Sequence, residues 1–237
     1  DQSPPLLRTI RPIGIDYNFC MQQIVSGVYA HSNLSIYQYF IVADNEITLI
    51  DAGLPLFTGA LLRALGNLDG SARLSLILIT HADGDHYGAV DRLKVIHGCK
   101  VATSTLEAQA MQLGGMSRDL KPRHFLERLL FTAGLLIFTA QAVTTEHIIS
   151  PGETLPILGG LKVLDSKGHT PGHLSFYQPD QRLLFAGDSI IKRNGIPSPA
   201  AGPNCWDEKL AQAAFDSQMA LGPLHICGGH SYFNLSR

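Results

Sequence analysis

Residues 80–88 read Thr-His-Ala-Asp-Gly-Asp-His-Tyr-Gly, and this short stretch limits the chain more than any other. Four metal-competent side chains, His81, Asp83, Asp85 and His86, fall within six residues. The apolar run Leu76-Ile77-Leu78-Ile79 before them reads as a buried strand, and Gly88-Ala89-Val90 after them as the first turn of a helix. A strand-to-helix turn holds such side chains on a fixed frame and leaves them open to solvent. Imidazole and carboxylate together suit zinc, iron or manganese. The plain alternative is a polar turn whose Asp residues cap the helix. Either Asp alone fits that alternative. Two His and two Asp at this density do not.

Further candidate ligands follow downstream, each at the end of an apolar run. Leu161 to Leu164 leads into Gly168-His169-Thr170-Pro171-Gly172-His173. Arg182 to Ala186 leads into Gly187-Asp188, and Leu224 to Cys227 into Gly228-Gly229-His230. Short strands ending in Gly beside His or Asp are how α/β scaffolds present ligands from several strand ends. A single strand-end His is more often hydrogen-bonded structure. Four such elements in this order are jointly strong.

With these residues in place the chain resembles the metallo-β-lactamase superfamily, whose pattern is H-x-H-x-D-H, then G-H-T-x-G-H, then G-D, then a C-terminal G-H. The resemblance runs from Gly27-Val28-Tyr29 and Leu49-Ile50-Asp51-Ala52-Gly53 to His230. It implies an α/β fold, a four-layer αββα sandwich with a two-metal cleft between its sheets. It also implies that His81, Asp83 and His169 hold a first metal, that Asp85, His86 and His230 hold a second, and that Asp188 bridges both. His173 then stands behind the ligands. The branch most similar in length and in its G-H-T-P-G-H element is that of lactonases and glyoxalase II.

The departure is Asp83, which stands where the family pattern has its second His. Two divalent ions bring four positive charges; three carboxylates and a bridging hydroxide cancel them to about zero, where the His version keeps about one. A less positive site attracts anions less and acidifies bound water less. The added oxygen ligand also moves the preference from zinc toward iron or manganese. Two divalent metals are expected, zinc first, with iron or manganese as alternatives.

Composition agrees with a compact enzyme. The chain has 237 residues, 45% of them apolar, enough for a large core. A net charge of −2 lacks the basic footprint of a nucleic-acid partner. Cys20, Cys99, Cys205 and Cys227 are dispersed with no C-x-x-C, and read as free thiols. No leader or transmembrane run is visible, so a cytoplasmic protein without a membrane partner is expected.

Residues 1–237 are expected to form one domain. Ile24 to Ala30, Ile36 to Ala43 and Glu46 to Ile50 read as strands, and Phe57 to Leu65 as a helix. Gly88 to Ile96 reads as a second helix and Lys100 to Thr103 as a strand. A second half begins with strand pairs near residue 147; residues 207–220 read as a helix and Leu224 to Cys227 as a final strand. The Pro-rich start, Ser3 to Pro12, reads as a surface arm. Residues 106–145 read as a helical insert, apolar on more than one face through Phe131 and Phe138, that borders the cleft or a homodimer contact. Lys192 to Trp206, with three Pro and two Gly, reads as a loop overhanging the metals, with Trp206 lining the pocket or packed in the core.

The ligand set points to a hydrolase of a small-molecule ester, lactone or thioester. In this reading the water between the metals loses a proton and attacks, Asp85 orients it or relays its proton, and His173 stabilises the oxyanion or orients a ligand. The lactonase Tyr a few residues beyond the bridging Asp is missing, because Ser189, Ile190 and Ile191 follow Asp188. The alternatives are a phosphodiesterase, favoured by Asp83, or an iron-dependent redox enzyme of the same fold. Nucleophilic Ser or Cys catalysis has no motif here.

Overall fold

The computed structural model of the chain describes residues 21–68, 70–122, 124, 125, 129 and 140–236. Four antiparallel strands begin it: β1 (Gln22–Val25), β2 (Val28–Asn33), β3 (Ile36–Ala43) and β4 (Glu46–Ile50). Helix α1 (Thr58–Gly66) then crosses to β5 (Arg73–Leu78), which lies parallel to β4. The single-turn α2 (Gly84–Tyr87) and α3 (Val90–His97) cross to β6 (Lys100–Thr103), and α4 (Thr105–Gln112) precedes β7 (His147–Ile148); both strands continue the parallel ladder. These seven strands form one sheet in sequence order.

The second sheet contains β8 (Thr154–Leu155), β9 (Leu161–Asp165), β10 (Leu174–Gln178) and β11 (Leu183–Gly187). A small hairpin of β12 (Ile190–Arg193) and β13 (Ile196–Pro199) follows, then α5 (Glu208–Ala220). The chain returns as β14 (His225–Gly228), parallel to β11, and β15 (Tyr232–Asn234). Among the described residues this sheet has six strands.

Alternation along each strand decides which layer a side chain enters. In β3, Tyr39 and Ile41 face the second sheet while Phe40 faces the helices. In β10 and β11, Leu174, Phe176, Leu183 and Phe185 fill the space between the sheets, and Tyr177 and Leu184 face α5. Leu61, Leu65, Val90, Leu93 and Met111 of the helices close the outer face of the first sheet. Phe215 and Met219 of α5 close that of the second. The layers therefore run helix, sheet, sheet, helix, the αββα order expected.

Three readings of the sequence change. The strand read over Ile24 to Ala30 is two strands, β1 and β2, joined by a turn at Ser26–Gly27; alternation carries straight across so short a reversal. Residue 147 opens the last strand of the first sheet, not the second half. The loop read over Lys192 to Trp206 begins with a hairpin: Asn194 (φ 52°) and Gly195 (φ 85°) are the two-residue Asn-Gly turn that suits a right-twisted ladder. Its Pro197 and Pro199 are tolerated because each lacks an N–H only in a two-stranded ribbon.

Of the apolar insert, Phe125 and Leu129 are exposed, and Phe131 and Phe138 lie outside the described residues, as do the Pro-rich start and Cys20. Cys99, Cys205 and Cys227 are buried free thiols. No helix among the described residues is long and apolar enough to cross a membrane. Phe176, 0% exposed between the two sheets, is the sharpest test of this packing. Phe176→Ala is expected to cost about 3–5 kcal/mol, read as a lower denaturant midpoint; a cost under about 1 kcal/mol would place the ring at a yielding edge of the core.

Candidate metal centre

Parallel pairing sets the carboxyl ends of neighbouring strands side by side, and here it does so in both sheets. Asp51 follows β4 and Thr80-His81 follows β5, and the two ends are laced together: Asp51 N–H donates to Leu78 O at 3.0 Å. In return Thr80 N–H and Oγ1 donate to the Asp51 carboxylate at 2.9 and 2.8 Å. Asp188 follows β11 and His230 follows β14, joined by Gly229 N–H to Gly187 O at 2.9 Å. His169 enters from the turn between β9 and β10. Four strand ends thus face one cleft between the sheets.

Seven side chains meet there in three overlapping groups: His81, Asp83 and His169; His81, His86 and Asp188; Asp85, His86 and His230. The Asp188 carboxylate touches both ends of the cluster, 3.5 Å from His86 Nε2, 3.7 Å from His169 Nε2 and 3.3 Å from His230 Nε2. Asp85 lies 3.2 Å from His230 Nε2. All seven residues singled out in the sequence as ligands are brought together.

Their orientation is set from behind. Thr80 Oγ1 spends its proton on Asp51, so it accepts from His81 Nδ1 at 2.9 Å and aims Nε2 into the cleft. Asp51 also takes His86 Nδ1 at 2.8 Å, with the same result. His81 Nε2, His86 Nε2 and Asp188 Oδ1 are buried with no hydrogen-bond partner. These three atoms belong to one of the groups above. Buried orphans of this kind are costly, and ligand atoms converging on one point are what a divalent cation satisfies once the imidazoles release their protons. The donor set therefore fits a metal.

Charge coupling is strong. Burial alone would raise the Asp188 carboxyl, but His230 and His86 hold it well below the usual carboxylate range. Burial would likewise lower His86, yet Asp51, Asp188 and Asp85 outweigh it and hold the imidazole up at about 9. Asp188 pushes His230 up to about 11.

His173 is fully buried, and both ring nitrogens are engaged. Nε2 accepts from Asp188 N–H at 3.1 Å and Nδ1 meets Ser166 Oγ at 2.7 Å. Burial, then the charges of His81 and His169, push its pKa well down, which agrees with a neutral ring. Of the two roles expected for it, this geometry leaves no N–H for an oxyanion and gives it Asp188 to orient. Trp206 is exposed, and its backbone N–H donates to His169 O at 3.0 Å, so the segment after the hairpin borders His169.

Three residues escaped the sequence. Asp51 had a signal, since it is one more acid at the end of an apolar strand. Glu107 sits three residues after Ser104, a helix-capping spacing, but its carboxylate turns inward. There it accepts from Ala82 N–H, Thr170 Oγ1, Gly172 N–H and Ser117 Oγ at 2.7–2.9 Å, tying the two ligand loops together. Arg118 had no signal. Its buried guanidinium grips Asp83 with both arms, Nη1 to Oδ1 at 2.5 Å and Nη2 to Oδ2 at 2.8 Å. The charge ledger that counted Asp83 without a partner is therefore corrected: Arg118 returns about one positive charge.

Comparisons agree with this geometry. The sequence profile of the metallo-beta-lactamase superfamily matches residues 32–230. The uncharacterized protein YobT of Bacillus subtilis (strain 168) is 32% identical over 207 residues, 82% of each chain. A hydroxyacylglutathione hydrolase of Rhodobacter capsulatus is 28% identical over 165 residues, 68% of this chain and 49% of that one, so the chain spans about half the length of this relative. The solved structure of TTHA1623 in a di-iron-bound form aligns with a TM-score of 0.63 at 26% identity, covering 84% of this chain and 90% of that one.

Asp51→Asn keeps the size but puts an amide N–H against either His86 or Thr80. It is expected to weaken metal affinity about 10–100-fold, read by competition with a chromophoric chelator; unchanged affinity would show that Asp51 orients no ligand. A second expectation follows from the raised imidazoles. In chelated protein, the stability His86 contributes is full below its ordinary value of 6.5 and is lost as pH rises through about 9. Metal uptake at pH 7 must displace the protons of His86 and His230, so about two protons are released per first ion bound, fewer above pH 9. An indicator-dye titration counts them, and a count of zero would remove both imidazoles from the ligand set.

Proposed function

Since the chain belongs to the metallo-beta-lactamase superfamily and is a metal-dependent hydrolase, we propose that it cleaves carboxylic esters, lactones or thioesters at the cleft between its sheets. The observation that carries this reading is the convergence, from three separate elements, of His81 Nε2, His86 Nε2 and Asp188 Oδ1, all buried and none of them hydrogen-bonded. In this reading His81, Asp83 and His169 make one metal position, Asp85, His86 and His230 the other, and Asp188 reaches both. A bound divalent metal supplies Lewis acidity: it acidifies water and polarises the substrate carbonyl.

The protein's own groups do the rest. Asp85, on the accessible rim of the cluster, orients the attacking water or takes its proton. His173 fixes Asp188 through the backbone N–H, and Ser166 fixes His173 in the tautomer that can accept it. Glu107 holds the loop bearing Asp83 against the loop bearing His169, so that the two ends of the cluster keep their spacing.

The similarity to a hydroxyacylglutathione hydrolase supports the acyl class. Zinc suits the four imidazoles of the cluster; the di-iron-bound relative supports iron as the alternative.

A panel of aryl esters, lactones, an acyl thioester and bis-nitrophenyl phosphate, assayed with and without a chelator, tests the reading. Chelator-sensitive turnover of acyl substrates, restored by adding metal back and at least 100-fold faster than the phosphodiester, is expected. Turnover confined to the phosphodiester would move the protein to the phosphodiesterase class, and activity indifferent to the chelator would exclude the metal-dependent reading.

A further inference from the structure

The first metal position contains a cation that belongs to the protein itself. Arg118 lies in the irregular stretch after α4, and its guanidinium side chain is 1% exposed. Nε donates to Asn204 O at 2.9 Å, which fixes the plane of the group. Nη1 and Nη2 then take both oxygens of Asp83, and Nη2 stands 3.2 Å from His169 Nε2. That nitrogen is also 3.3 Å from Asp83 Oδ2. Its state follows in either tautomer. Unprotonated, its one lone pair accepts from Arg118; protonated, it donates to Asp83 and has no lone pair. Both arrangements deny His169 Nε2 to a metal.

Asp83 is similarly committed. A two-armed guanidinium–carboxylate pair is among the stronger polar contacts in proteins, and a divalent ion placed beside it would meet a buried like charge. The contrast with the other end is direct. His86 Nε2 and Asp188 Oδ1 have no hydrogen-bond partner, and no arginine or lysine is paired with Asp85, Asp188 or His230 among the described contacts.

We propose that Arg118 is a built-in occupant of the first metal position. It holds Asp83 and His169 against a metal ion, so the chain takes up one divalent ion tightly at the other end of the cluster, among Asp85, His86, Asp188 and His230, and a second only weakly. This rests on the metal-hydrolase reading above and narrows the two equal metals that the sequence pattern implies. Removing the guanidinium frees Asp83 and the His169 lone pair together.

The test is a count of bound metal, independent of turnover. Wild type and Arg118→Met are stripped, then dialysed against graded free Zn²⁺, and bound zinc per chain is measured. A parallel Mn²⁺ titration is followed by electron paramagnetic resonance, where neighbouring ions couple and a lone ion does not. Wild type is expected to plateau at one ion over a range in which Arg118→Met takes two, the second tightened about 10–100-fold, with the coupled signal in the variant alone. Two ions of like affinity in wild type, or a single ion in Arg118→Met, would overturn the proposal. Should the Met variant not fold, Arg118→Lys keeps the charge but cannot span both Asp83 oxygens and reach His169. A smaller tightening of the second ion is then expected, and none would overturn the proposal. Two tight ions in wild type would leave the hydrolase reading standing, whereas no ion in either protein would remove both.

Discussion

The carboxylate of Asp51 is the interaction on which the rest of the site depends. It sits where β4 and β5 end side by side, with its backbone in the left-handed region (φ 57°), a strained setting for a residue with a side chain. From there it receives Thr80 N–H, Thr80 Oγ1 and His86 Nδ1. One buried anion thereby joins two strands to α2, and through Thr80 it also fixes the tautomer of His81. Two imidazoles from one short motif then point their Nε2 atoms the same way, toward an acid delivered by the other sheet. The fold contributes the adjacency, and Asp51 turns the adjacency into a direction.

Electrostatic balance is the second constraint. Three carboxylates, four imidazoles and a guanidinium share one largely buried volume, where each isolated charge would carry a heavy desolvation cost. The cluster resolves into two ends. At one, Asp83 is neutralised by Arg118 and His169 is held low by burial. At the other, Asp51, Asp188 and Asp85 hold His86 protonated near neutral pH, and Asp188 and Asp85 hold His230 so. The first end carries its counter-charge covalently; the second borrows it from protons, which a divalent cation can replace. That difference is why the two ends are expected to take metal unequally.

Much of this was legible in the sequence because it is local. The motif at residues 80–88, the Gly-His and Gly-Asp strand ends and the two-residue period of β3, β10 and β11 each lie within a few residues. Each also has a physical meaning that does not depend on the rest of the chain. What was not legible is tertiary. Arg118 and Asp83 are brought together only by the path of the chain after α4, and no spacing marks the arginine. Glu107 carries a capping pattern and uses it for something else, because four donors, three from the two ligand loops and one from Ser117 after α4, outbid the helix terminus. The turn at Ser26–Gly27 and the hairpin at Asn194–Gly195 were missed for a nearer reason: turn chemistry was present and was read as strand or loop.

The most direct measurement is the anomalous difference density of a reconstituted crystal, recorded on both sides of the metal's absorption edge. The account predicts its strongest peak in the cleft, in coordination range of His86, Asp188 and His230, with Arg118 still gripping Asp83. A strongest peak anywhere else, or an Asp188 carboxylate turned away from the imidazoles, would contradict it.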